Sequence, residues 1–143
     1  MLIPDINVLI YSINKDSYCH EQAKKWLEDI LSGSEHVGFA WIVLLGFIRV
    51  TTHEKILPNP LSSEQACEIV NSWMERPMTR IIAPGDNHWN ILQELLQELG
   101  TAGNLTSDAH LAALTIEYNG VLFSTDNDFS RFPNLRWKNP VVD

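Results

Sequence analysis

Short apolar segments alternating with longer amphipathic ones predict an α/β fold in which a short, mostly parallel central sheet is flanked by helices, an α/β/α sandwich. Three observations carry this expectation. LIP at 2–4, VGF at 37–39, TRIIA at 79–83 and VLFS at 121–124 are brief, apolar and bounded by turn residues, as buried strands are. The stretches between them repeat apolar residues at helical spacing. Each of those stretches is also long enough to carry a helix from one strand to a parallel neighbour.

The first strand must stop at Pro4-Asp5, and INVLIYSI continues with helical character. From 18 to 31, Ala23, Trp26, Leu27, Ile30 and Leu31 recur at i, i+3, i+4, i+7 and i+8, and Gly33 closes the helix. The strand at 37–39 leads into WIVLLGFIRVTT, apolar nearly all round and so expected to be a buried helix. LPNPLSS breaks the chain, and Ser62 with Gln65 forms a capping box for a helix with the stripe Ala66, Ile69, Val70 and Trp73, ended by Pro77.

After the strand at 79–83, Pro84-Gly85 turns the chain. Asp86 is expected to cap a helix that carries Trp89, Leu92, Leu95, Leu96 and Leu99 inward and stops at Gly100. Residues 104–118 predict another helix, ended by Asn119-Gly120 before the strand VLFS. The tail is turn-rich, with a last short strand expected near 135–137. No repeat, low-complexity tract or linker interrupts the pattern, which predicts one domain over 1–143.

A net charge of -8, from ten Lys and Arg against eighteen Asp and Glu, repels polyanions as a whole, so a nucleic-acid partner requires a local basic patch. The candidates Lys15, Lys24, Lys25, Lys55, Arg76, Arg80, Arg131, Arg136 and Lys138 are scattered along the chain. Cys19 and Cys67 form no CxxC and are too few for a disulfide framework, which fits a reducing cytoplasm. The N-terminus lacks a basic leader, and the longest apolar run, 39–48, is about half a bilayer span, so neither export nor a membrane is expected.

Four acids stand at strand ends or helix starts: Asp5 in PDINVLIY, Asp108 in NLTSDAHLAAL, and Asp126 with Asp128 in STDNDFSRF. Each alone has a local explanation. Asp5 and Asp108 suit a first helical turn, and Asp126 and Asp128 suit a turn around Asn127. Together they point to a divalent cation, because a parallel sheet gathers the loops after its strands and clustered carboxylates need a compensating charge. Carboxylate oxygens are hard ligands suited to Mg²⁺ or Mn²⁺, and an all-oxygen site with open positions suits phosphodiester hydrolysis. His20, His36, His53, His88 and His110 form no zinc motif, and no phosphate-binding loop, dinucleotide fingerprint or serine nucleophile elbow is present. On a helix, His110 points away from the face that carries Asp108.

In order and spacing, PDINVLIY, FIRVTT after the apolar helix, NLTSDAHLAAL and STDNDFSRF resemble the PIN-domain ribonucleases, and among them the VapC toxins of toxin–antitoxin pairs, over almost the whole chain. By that resemblance, Asp5, Asp108 and Asp126 match the catalytic, metal-binding acids. Asp128 matches a further acid used by some members, and Ser124 and Thr125 match small hydroxyl residues beside the site. The resemblance also implies a PIN-like fold, Mg²⁺- or Mn²⁺-dependent endonucleolytic RNA cleavage that inhibits translation, a homodimer, and a cognate antitoxin that inserts a segment into the active-site groove. Arg49 is then a groove residue touching phosphate or antitoxin; paired with one of the acids or with Glu117 it is structural instead.

Many PIN domains carry a glutamate where this chain has Gly46. The departure leaves three outcomes: one firmly held metal, recruitment of Asp128 as the replacement acid, which we favour, or loss of activity. Loss of activity is the argument for a catalytically weak or inactive binding module with a PIN fold. A phosphoacceptor domain is a poorer fit, because Asp5 is followed by Ile6 and Asn7 rather than a second acid, and Lys138 comes too late. Trp26, Trp73 and Trp89 fall on helical stripes and are expected in the core, leaving Trp137 the freer one.

Overall fold

The computed structural model describes residues 1–141; residues 142 and 143, included in the expected domain, lie outside the described residues. Five strands form one sheet in the order β3-β2-β1-β4-β5: Leu2–Pro4 (β1), Val37–Ala40 (β2), Thr79–Ile82 (β3), Val121–Phe123 (β4) and Trp137–Lys138 (β5). Every pairing is parallel, so the sheet is parallel throughout rather than mostly so. Six helices connect the strands: Ile6–Ile13 (α1), His20–Leu31 (α2), Trp41–Thr51 (α3), Ser63–Met74 (α4), His88–Leu99 (α5) and Thr106–Glu117 (α6).

The strands are short and buried, as their composition requires: Ile3, Val37, Phe39 and Leu122 are wholly inaccessible. An aromatic cluster ties β2 to two helices, with Trp73 stacked on Phe39 at 5.4 Å between ring centroids and tilted against Phe47 at 4.8 Å. On the other side of the central strand, Trp26 packs on Phe123 at 4.8 Å. The Ser62 and Gln65 capping box forms as expected. Gly100 takes φ 70 at the end of α5, the left-handed conformation that makes glycine suitable there.

Four sequence expectations are corrected. Asp86 does not cap α5, which starts at His88 after Asn87, and that residue makes no side-chain capping bond. Trp89 is 62% exposed rather than inward, and the buried face of α5 is centred on His88 and Leu95. Helix α3 is not buried all round: Val43, Leu44, Gly46 and Phe47 face the core, whereas Trp41, Leu45 and Arg49, one turn apart from each other, lie exposed. The last strand falls at Trp137–Lys138, slightly later than expected.

Gly46 is seated against α1. A Cβ there would lie 2.4 Å from Cδ1 of Ile6 and 3.1 Å from its Cγ1, so the volume a side chain would need is already filled. Glycine costs roughly 1 kcal/mol of helix propensity relative to alanine, and the Ile6 contact is the packing reason to retain it. Gly46→Ala should therefore forfeit most of the roughly 1 kcal/mol that alanine gains in helix propensity, because Cδ1 of Ile6 must swing aside to admit the new methyl group. Ile6→Val, which removes Cδ1, should restore most of that loss in the double variant. Urea denaturation of the four proteins gives the coupling; additive effects would show that the two residues do not compete for the same space.

Candidate functional site

From β1 the chain winds outward through β2 to β3, then returns to place β4 on the opposite side of β1, with β5 beyond it. The boundary between β1 and β4 is thus the switch point at which connections leave in opposite directions, and the crevice beyond the carboxyl ends of these strands is where parallel sheets hold ligands. Asp5 directly follows β1, and Ser124, Thr125 and Asp126 directly follow β4. The register Pro4 with Phe123, extended by the Asp5 N–H donating to the Phe123 carbonyl at 2.9 Å, brings residues about 120 positions apart side by side.

Asp5 is only 9% exposed and has both carboxylate oxygens engaged. Its Oδ1 accepts the Ile6 N–H at 2.8 Å, so it does serve as the N-cap of α1; its Oδ2 accepts the Ser124 hydroxyl at 2.7 Å. Asp126 starts the 3₁₀ turn Asn127–Arg131, where its Oδ1 accepts the Asp128 N–H at 2.9 Å. Asp108 comes from the first turn of α6, whose buried face runs through Leu111, Ala112 and Thr115. An oxygen from each of Asp108, Asp126 and Asp128 lies within 4.8 Å of the others. Asp5 and Asp126 thus both make local capping bonds, and Asp126 also belongs to this group, whereas Asp5 stands beside it, joined through the Ser124 hydroxyl.

The electrostatics reflect burial first and crowding second. Burial pushes the Asp108 carboxyl up to about 6, and the negative charges of Asp126, Asp5 and Asp128 add to the rise. Burial also raises Asp5, with Asp126 adding repulsion, while the hydrogen bonds from Ser124 and Ile6 oppose the rise. A bound divalent cation would reverse this penalty. The donor set fits one: hard oxygens only, spacing that a single ion could bridge, and no nitrogen or sulfur ligand competing.

A PIN domain family model matches residues 2–135. The chain belongs to the PIN-domain family. It is similar to Ribonuclease VapC37 of Mycobacterium tuberculosis, with 42% identity over 140 residues that make up 98% of this chain and 97% of the relative. Among solved structures it is similar to VapBC2 from Rickettsia felis bound to a DNA fragment from the promoter, with a TM-score of 0.71, 23% identity, and coverage of 96% of this chain and 97% of that one. A toxin–antitoxin complex from Klebsiella pneumoniae aligns with a TM-score of 0.66 and 18% identity, covering 98% of each chain. These two are likenesses of fold.

In this PIN domain, Ser124 is fully buried at the centre of the site: its Oγ donates to Asp5 and accepts the Asp126 N–H at 3.1 Å. The Thr125 N–H donates to Oδ1 of Asn7 at 3.3 Å. Trp137 is not the free tryptophan expected, because β5 places its Nε1–H on the Ser124 carbonyl at 2.9 Å. Sequence reasoning missed Asn7 as a site residue. The only signal was its position two residues after Asp5, which a helix start explains equally well.

Exposed Arg49 lines a groove of about 330 Å³ together with Ile6, Ile42, Leu45, Gly46 and Ser107. Ile6 and Ser107 are chain neighbours of Asp5 and Asp108, so groove and acids share a wall. Among the described residues Arg49 joins no ion pair. Glu117 is committed elsewhere, with Oε1 2.8 Å from Nδ1 of His88 and Oε2 accepting the Gly85 N–H at 2.8 Å. Nε2 of buried His88 lies 3.0 Å from Nδ1 of His110, so His110 turns away from the acids, as expected, and into a clasp between α5 and α6.

The Asp108 shift fixes the sign of a pH effect. A carboxyl whose folded value, about 6, exceeds its ordinary value of 3.8 holds its proton more tightly in the native state, so metal-free stability falls as pH rises across that window. Asp108→Asn removes the charge. In chelator-treated protein at pH 7.5 it should raise Tm by roughly 2–4 °C, equivalent to about 1 kcal/mol after discounting for partial exposure. The gain should shrink as pH falls toward 4, where the parent carboxyl is also neutral. Differential scanning calorimetry across this range checks it; a gain constant with pH would show that crowded charge is not the cause.

Proposed function

We propose that this PIN domain, acting as one domain over 1–143, is a Mg²⁺- or Mn²⁺-dependent endoribonuclease that hydrolyses RNA phosphodiester bonds in the cytoplasm. As the toxin of a toxin–antitoxin pair, it inhibits translation until a cognate antitoxin occupies the groove beside the site. The observation that carries the reading is the convergence of Asp108, Asp126 and Asp128 oxygens within 4.8 Å of one another, next to Asp5, at the sheet's switch point. A relative 42% identical over nearly its full length, named a ribonuclease, supports the activity, and the fold likeness to a toxin–antitoxin complex supports the partner. We assign a homodimer as the working assembly.

Asp5, Asp108, Asp126 and Asp128 would hold the cation, with Asp128 supplying the acid that α3 lacks at Gly46. When bound there, a divalent cation would supply Lewis-acid chemistry, polarising the phosphoryl group, activating water and stabilising the leaving oxygen. Ser124 fixes the orientation of Asp5 and steadies the backbone at Asp126. Arg49, unpaired among the described residues and sharing a wall with the acids, supplies the positive charge to hold an RNA phosphate against the repulsion of a chain of net charge -8. The groove's apolar lining offers the same place to an antitoxin segment.

The second reading, a catalytically weak or inactive PIN-fold binding module, is favoured by one observation: Ile6 fills the space into which a side chain from position 46 would extend. Incubation of purified protein with structured RNA and Mn²⁺ separates the two. Cleavage should require the cation, stop with chelator, and fall at least about 100-fold in Asp5→Asn and Asp108→Asn, the scale at which electrostatic stabilisation of a reacting group is lost. Arg49→Gln should weaken RNA binding and reduce the salt slope by about one phosphate contact. No cleavage by the parent, or equal cleavage by the Asp variants, would leave the binding module as the better reading.

A further inference from the structure

We propose that Asn7 is a positioning residue that locks the loop after β1 to the loop after β4, holding Asp5 and Asp126 in register for a divalent cation. The proposal rests on the metal-site reading above. Asn7 sits in the first turn of α1, and most side chains there reach only their own helix. Its contacts run instead across the switch point: Nδ2 donates to Ser124 Oγ at 3.2 Å and, more weakly, to Asp5 Oδ2 at 3.5 Å, while Oδ1 accepts the Thr125 N–H at 3.3 Å. These bonds join residues 117 and 118 positions apart.

The donors and acceptors determine the direction of every bond in this junction. The Thr125 N–H can only donate, so the amide oxygen of Asn7 must face it and the NH₂ must face Ser124 and Asp5. Ser124 has one hydroxyl proton. Its Oγ receives N–H groups from both Asn7 and Asp126, which fills its acceptor capacity, so the proton must go to Asp5. Asn7 thereby sets the hydroxyl rotor that orients Asp5.

The amide is also neutral. It supplies donors to a buried, crowded carboxylate without a positive charge that would compete with the cation, whereas a lysine or arginine in its place would. Ile6 and Val8, its chain neighbours, have no side-chain polar atom with which to make this bridge.

Two variants test the assignment. Asn7→Ala and Asn7→Ser both lose the reach to the β4 loop, and serine is well tolerated in a first helical turn if alanine disturbs folding. Isothermal titration with Mn²⁺, starting from chelator-treated protein, should show roughly 10- to 100-fold weaker binding in both, the usual consequence of removing a partner behind a metal ligand. Amide exchange by NMR supplies a readout that needs no metal: the Thr125 N–H should exchange faster in both variants but stay protected in Asn7→Asp, which keeps the acceptor oxygen. Mn²⁺ affinity within about twofold of the parent, or unchanged Thr125 exchange, overturns the proposal while leaving the metal site intact. A parent that binds no Mn²⁺ overturns the metal-site reading itself, and with it the role assigned to Asn7.

Discussion

The site depends on the parallel pairing of β1 with β4. Three residue pairs, Leu2 with Val121, Ile3 with Leu122 and Pro4 with Phe123, set the depth at which the two strands end, and that depth decides whether Asp5 meets Ser124 and Asp126 or misses them. Carboxylates brought this close repel one another, and burial adds to the cost, so the junction must be held by interactions elsewhere. The apolar strands provide that hold: Ile3 and Leu122 are completely buried, and Trp26 covers Phe123 from α2. Core packing thus sustains a cluster that would disfavour folding if it stood alone, a conflict expected where a structure serves binding rather than stability.

Against that background, Gly46 marks a redistribution of the same chemistry. Where many PIN domains extend an acid from the third helix, this chain has Gly46 with the end of the Ile6 side chain against it, and the clustered acids come from α6 and the loop after β4. The exchange has a structural side effect. With Gly46 on its inner face and Leu45 and Arg49 on its outer one, α3 lines an apolar groove that also includes Ser107, the chain neighbour of Asp108.

The His88 clasp shows how a second polar cluster is kept separate from the first. Glu117, His88 and His110 form a hydrogen-bonded chain between α5 and α6, and the Gly85 N–H joins it from the loop after β3. His110 and Asp108 are two residues apart on the same helix yet serve opposite faces, which the helical period requires. Helix α6 therefore carries both its tether to α5 and its contribution to the acidic crevice within a single turn.

The sequence by itself determined the fold class, the order of strands and helices, the capping box at Ser62, and the acids that converge, because period, turn chemistry and residue type are local properties and each was consistent along the chain. Local signals were insufficient where two explanations called for the same residue. Asp86 and Asn87 both suit a cap, and the apolar stripe of α5 does not say which of its members the rest of the fold covers, which left Trp89 outward. An apolar helix can be buried all round or leave one face open, and only the neighbours of α3 decided that Trp41 and Leu45 stay exposed. Asn7 reads as an ordinary helix start until β4 arrives beside it, and Gly46 as an unexplained glycine until Ile6 is placed against it. Those features are contacts between segments far apart in the chain, so only the tertiary structure could decide them.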